Sequence, residues 1–266
     1  MKDKKMPALA VVVPLHFKPH LVKTTRAAAP ARTASGGSRM ATHCSTCNLR
    51  EVCLPCGLSV SEIAALGDLV YTHKRVKRGE ALFLAGSSFD SIFAIRSGFF
   101  KSSVVLEDGR DQVTGFHMAG EIVGLDGIGG GVLTADVVAL EDSEVCVIPY
   151  ARLEMPELQR QLHRVMSRAL VRDQGLMTLL GTMRAEERLA AFLLNLSQRF
   201  LARGFSPREF HLRMTREEIG SYLGLSLETV SRAFSRFDAQ GLIGVQQKHI
   251  RILDPQALRA AVSPRE

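Results

Sequence analysis

Thr215-Arg-Glu-Glu-Ile-Gly-Ser-Tyr-Leu-Gly-Leu-Ser-Leu-Glu-Thr-Val-Ser-Arg-Ala-Phe-Ser-Arg-Phe237 reads as two short helices joined by a tight turn. Thr215 and Glu218 have the spacing of a capping box, in which each side chain satisfies the other's backbone N–H. The helix they start turns Ile219, Tyr222 and Leu223 inward, and Gly220 is small enough to let a second helix cross closely. Gly224 ends it, because glycine takes a positive φ without steric cost. Ser226 then caps a second helix, Leu227–Ala239. Its apolar stripe is Leu227, Val230, Phe234 and Phe237, and Glu228, Ser231, Arg232 and Ser235 lie opposite. A helix that reads the DNA major groove needs this division. The Arg232 fork matches guanine O6 and N7, and Glu228 matches the amino group of cytosine. A plain helical hairpin with a solvated polar face gives the same pattern, so the DNA reading draws on the rest of the chain as well. Gly241, Ile243, Val245 and the run from His249 to Leu253 read as a small β-wing.

Upstream, a helix over 185–202 stops at Gly204 and Pro207. Before it, Leu162, Met166, Ala169, Asp173, Leu176, Leu180 and Met183 repeat at alternating spacings of four and three. That is a heptad seam, the pattern of a helix that pairs with a second copy of itself. Asp173 is its one charged member, placed either in the seam or at its wet edge, since helix phase is read to within about one residue. Arg160, Arg164, Arg168 and Arg172 recur every fourth residue and read as a solvated stripe. From Val76 to Pro149 the texture is short apolar or alternating runs punctuated by Gly79, Gly86, Gly98, Gly109, Gly120 and Gly127. Asp108-Gly109 is a hairpin turn in this reading, and the whole is an antiparallel barrel or double-sheet roll. A short helix over 59–69 precedes it, capped by Ser59 ahead of Glu62.

The net charge of +7 is not itself a nucleic-acid signature, because residues 1–40 hold eight Lys/Arg against Asp3 and account for all of it. That segment reads as a flexible basic tail. The run from Ala8 to Leu15 is too short for a signal sequence and is broken by Pro14. No stretch approaches the roughly 20 apolar residues of a membrane span. A cytoplasmic protein is expected. Four of the five cysteines, Cys44, Cys47, Cys53 and Cys56, crowd into thirteen residues. In a chain with no convincing signal sequence, such a cluster suits soft-metal or redox chemistry, and four thiolates fit either tetrahedral zinc or an iron–sulfur cluster. Cys146, alone in a strand-like run, reads by itself as a buried apolar cysteine.

Cys44-x2-Cys47-x5-Cys53, Cys146 before Val147-Ile148-Pro149, the run from Ala185 to Phe192 (Ala-Glu-Glu-Arg-Leu-Ala-Ala-Phe), and Leu227-Glu-Thr-Val-Ser-Arg232 together resemble the oxygen-responsive FNR branch of the CRP/FNR superfamily. The resemblance spans roughly residues 40–255. It implies an α+β architecture with a β-roll like that of cyclic-nucleotide-binding domains, a long dimerisation helix and a C-terminal winged helix-turn-helix. The corresponding boundaries are 41–150 for the cysteine segment and sensory roll, 151–184 for the dimerisation helix and 185–266 for the DNA-binding domain. The resemblance also implies a [4Fe–4S] cluster on Cys44, Cys47, Cys53 and Cys146, and base reading by Glu228, Ser231 and Arg232. Its partners would be palindromic double-stranded DNA, a second copy of the chain and RNA polymerase. Cys56 departs from the pattern. A zinc-stabilised or redox-thiol regulator of the same superfamily is the alternative, and an enzyme is not expected. A cyclic nucleotide is not expected either: after Glu121, the stretch 122–139 contains no Arg or Lys, and it places Asp136 where a phosphate needs a base. Asp173 is the expected dimer switch.

Overall fold

The computed structural model describes residues 44–69 and 72–262, so the basic tail lies outside the described residues. An irregular cysteine segment leads into α1 (Val60–Leu69), where Ser59 and Glu62 cap each other as expected. The roll follows as β1 (Thr72–Val76), β2 (Ala81–Phe83), β3 (Ser91–Ser97), β4 (Phe99–Val105), β5 (Asp111–Met118), β6 (Ile122–Val123), β7 (Asp136–Ala139) and β8 (Ser143–Pro149). Among the described residues these form two four-stranded antiparallel sheets, ordered β1-β8-β3-β6 and β2-β7-β4-β5. Between them lies an apolar core that includes Ile95, Phe100, Val137 and Val145. Asp108 and Gly109 make the β4–β5 turn. Gly127 is no β-turn glycine; it sits in a short 3-10 turn, and a Cβ there would overlap the Phe89 ring.

Strand β8 decides where the thiols meet. Side chains alternate across a strand, so Val145 points into the roll while Cys146 and Ile148 point outward, into a second core with Leu54, Leu66, Ile92 and Leu158. The cysteine segment is thereby laid on the outer face of the β1-β8-β3-β6 sheet.

Helix α2 (Pro156–Thr182) has 27 residues and is about 40 Å long. The heptad seam is shared between two surfaces. Leu162 is buried with the cysteine segment's core, and Ala169, Leu176 and Leu180 turn toward this chain's own roll and DNA-binding domain. Met166 of the seam is exposed, with Leu170, Val171 and Met177 beside it as an exposed apolar stripe. Asp173 is exposed beside it.

Helix α3 (Ala185–Leu201), β9 (Glu209–His211), α4 (Arg216–Leu223), α5 (Leu227–Ala239), β10 (Ile243–Gln246), β11 (His249–Ile252) and α6 (Pro255–Ala260) complete the chain. The wing is a three-stranded sheet, β10-β11-β9; the strand at Glu209–His211 was not read in the sequence. Leu189, Leu193, Ile219, Val230, Phe234 and Phe237 share one core. Leu227, expected in the apolar stripe, is 46% exposed, because the first turn of α5 projects beyond that core.

Candidate thiol centre and DNA-reading helix

Cys44, Cys47, Cys53 and Cys146 line one small cavity of about 40 Å³, and Cys56 does not. The rest of the lining is largely apolar, including Leu54, Leu66, Ile95 and Ile148, with Arg50 and Arg96 at its edge. Burial pushes the Cys53 thiol up to about 12, and the neighbouring Cys146, Cys44 and Cys47 add to the shift. Cys146 is likewise pushed up to about 12, first by burial and then by Cys44, with Arg96 opposing. Burial and Cys47 raise Cys44. Cys44, Cys53 and Cys146 resist ionising in these apolar surroundings unless something positive sits among them, because each thiolate would lose water and meet like charge. A bound iron or zinc centre supplies that charge, so the donor set fits such a group. Among the described residues no three His, Cys, Asp or Glu side chains converge closely enough to hold a single metal ion.

The helix-turn-helix is built as its capping residues dictate. Thr215 N–H donates to Glu218 Oε2 at 2.7 Å, and Glu218 N–H donates to Thr215 Oγ1 at 3.1 Å. Gly224 closes α4 at φ +63°, and Ser226 Oγ accepts from Thr229 N–H at 3.2 Å. Gly220 is needed for a different reason from the one expected: a Cβ there would lie 2.6 Å from the Leu225 carbonyl oxygen, so it clears the turn rather than the next helix. On α5, Glu228 and Arg232 are exposed and Ser231 is half-buried, all on the face opposite Val230, Phe234 and Phe237. The backbone N–H of Glu228 and the Ser226 hydroxyl hold the Glu228 carboxyl below its ordinary value, with Arg232 contributing. Behind α5, the Arg216 guanidinium lies 3.2 Å from the Phe234 ring centroid, a cation–π contact.

Of the connections that join this domain to the roll, two bear on the site. Val113 N–H donates to Ser221 Oγ at 2.8 Å, Lys101 Nζ lies 3.1 Å from Glu218 Oε1, and Phe116, Tyr222 and Phe192 pack ring against ring. The second connection is Glu121, between β5 and β6. Arg199 Nη2 reaches it at 2.7 Å, Arg203 Nη2 at 2.8 Å and Arg172 Nη1 at 3.4 Å. Despite burial, those arginines hold the Glu121 carboxyl below its ordinary value. Arg172 is therefore not part of a solvated stripe, because its phase on α2 turns it onto the roll. The sequence reading missed this node, and no local signal carries it: Glu121 sits in a turn of the roll, Arg172 on α2, Arg199 on α3 and Arg203 just beyond it.

Residues 187–261 match the Crp-like helix-turn-helix domain family, and residues 73–155 match the cyclic nucleotide-binding domain family. The chain is 47% identical over 227 residues to the transcriptional regulatory protein btr of Bordetella pertussis, covering 84% of this chain and 94% of that protein. It is 46% identical over 232 residues to the fumarate and nitrate reduction regulatory protein of Escherichia coli K12, covering 85% and 92% respectively. It is 47% identical over 223 residues to the transcriptional activator FnrA of Stutzerimonas stutzeri, covering 82% and 91%. The solved structure of FixK2 from Bradyrhizobium japonicum superposes with a TM-score of 0.67 at 29% identity, over 73% of this chain and 98% of that one. Two domain families in this order, on a fold whose helix-turn-helix presents an exposed polar face, and relatives this similar over most of their length, identify the chain as a transcription regulator of the CRP/FNR family.

Proposed function

We propose that this protein is an oxygen-responsive, cytoplasmic regulator whose homodimer binds a palindromic DNA site while a [4Fe–4S] cluster on Cys44, Cys47, Cys53 and Cys146 is intact. The observation that carries the reading is the meeting of three cysteines from one segment with a fourth from β8 around a single cavity, with Cys56 left outside it. Four thiolates are the donor set of such a cluster. When bound, such a cluster supplies an oxygen-labile tie between the cysteine segment and the roll. Relatives named for fumarate and nitrate reduction support control of anaerobic gene expression, with RNA polymerase recruited at the promoter. Glu228, Ser231 and Arg232 would read base edges, and Asp173 would hold the dimer near its threshold. A cyclic nucleotide is not the effector in this reading. In the cleft between roll and α2, the Asp126 carboxylate sits bonded to Thr134 N–H at 2.7 Å, and the lining cation Arg172 is engaged by Glu121.

Iron, sulfide and visible-absorbance assays on anaerobically purified protein test the proposal, with about four irons and four sulfides expected per chain. Cys146→Ala should lose the cluster and Cys56→Ala should keep it. The opposite result would assign the site to the four local cysteines instead.

A further inference from the structure

We propose that the cavity between the cysteine segment and α2 binds a small tetrahedral oxyanion of the phosphate or sulfate class. This cavity, about 200 Å³, shares the Cys53 wall with the thiol cavity and is lined by Val52 and Cys53 together with Arg168, Arg172, Arg203 and Glu121. The space is ample for such an anion and accompanying water. The inference rests on charge and hydrogen-bond capacity and not on the cluster.

Glu121 is the lining carboxylate, and both of its oxygens are fully engaged. Oε1 accepts from Arg199 Nε at 3.0 Å and Arg203 Nη2 at 2.8 Å, and Oε2 accepts from Arg199 Nη2 at 2.7 Å and Arg172 Nη1 at 3.4 Å. It neutralises one of the three guanidinium groups around it. Arg203 is nearly buried, with 5% of its side chain exposed, and burial pulls its guanidinium below the usual value. Arg172 gives Glu121 one long bond and has four N–H donors to spare. Arg168, one turn earlier on the same face of α2, lines the cavity and makes no ion pair with any described residue. Like charges four residues apart on a helix repel, and Arg168 has no carboxylate of its own among the described residues to offset Arg172. A shared oxyanion removes that repulsion, since guanidinium forks match its oxygens bidentately.

The test is calorimetric titration of the anaerobically purified full chain with inorganic phosphate and with sulfate, ionic strength being held constant with chloride. Saturable binding of one anion per chain is expected. Arg168→Gln should weaken it about tenfold or more, as loss of a charge-assisted pair does. Arg168 is exposed, so folding should survive, and unchanged thermal unfolding checks this. Arg160→Gln, which alters an arginine of the same helix outside the cavity, should bind as the parent does. A sugar phosphate forms a further arm: binding it as tightly as free phosphate identifies the source of the oxyanion as an ester, and weaker binding identifies the free ion. Heats that follow ionic strength alone, or equal losses in Arg168→Gln and Arg160→Gln, would overturn the proposal.

Discussion

Gly120 and Val52 are in such close contact that a Cβ on Gly120 would lie 2.6 Å from Val52 Cγ2. Gly120 also has φ +87°, so the cysteine segment rests on a backbone position that only glycine occupies without strain. Gly120→Ala should cost about 1–2 kcal/mol from the left-handed backbone alone, and the clash should lift Val52 and with it Cys53. A lower urea midpoint is expected and, with the proposed cluster bound, faster loss of iron in air. Iron retention equal to the parent's would show that the two residues are not coupled.

His117 gives a pH dependence of defined sign. Burial pulls its imidazole from 6.5 down to about 4, and its Nε2 lies 2.9 Å from Ser102 Oγ while Nδ1 is buried without a partner. The neutral ring is therefore the folded form, and the unfolded chain takes up the proton first as pH falls. Its contribution to stability is complete above pH 6.5 and is lost as pH drops toward about 4. Thermal unfolding followed across that window should slope less steeply in His117→Gln, which keeps a polar group near Ser102. Parallel slopes would place the acid sensitivity in other groups.

Arg232 is exposed on the outer face of α5, free to reach a base edge. If it forks onto guanine, Arg232→Ala should cost about 1–3 kcal/mol at the specific site and relax preference at one base pair. A panel of single-base substitutions distinguishes this from a phosphate contact, for which every sequence would weaken alike.

Asp173 stands exposed beside the apolar stripe of Met166, Leu170 and Met177. In a parallel dimer the two copies would bring like charges together in a partly dehydrated interface, opposing the attraction of their neighbours. Asp173→Ala should raise the dimer fraction of cluster-free protein in air and give it measurable DNA binding. Sedimentation in air decides the point: a variant as monomeric as the parent would make Asp173 an ordinary solvated residue.

The helix-turn-helix was legible because its signals are local. Thr215, Glu218, Gly224 and Ser226 each act within four residues, and they form the caps and turn that their types dictate. The thiol site was legible only through resemblance. Cys146 is separated from Cys53 by 93 positions, and its own strand gives it the pattern of a core residue. The heptad period of α2 was legible, and what it could not tell is how the seam divides: Leu162 is buried in the cysteine segment's core, Leu176 and Leu180 line this chain's own cleft, and Met166 and Asp173 are exposed. Glu121 was invisible because one carboxylate in a turn says nothing about arginines 51, 78 and 82 residues away.

Strand β8 is paired on both sides, Cys146 lying opposite His73 in β1 and Ala94 in β3. A slip of one residue would exchange Val145 and Cys146, placing a thiol in the roll's interior and an apolar branch against the cysteine segment. The lineage of this chain thus has little freedom to lengthen or shorten that strand. Length changes can accumulate in the loops on either side, while the fourth thiol is inherited only together with the sheet's hydrogen-bond ladder.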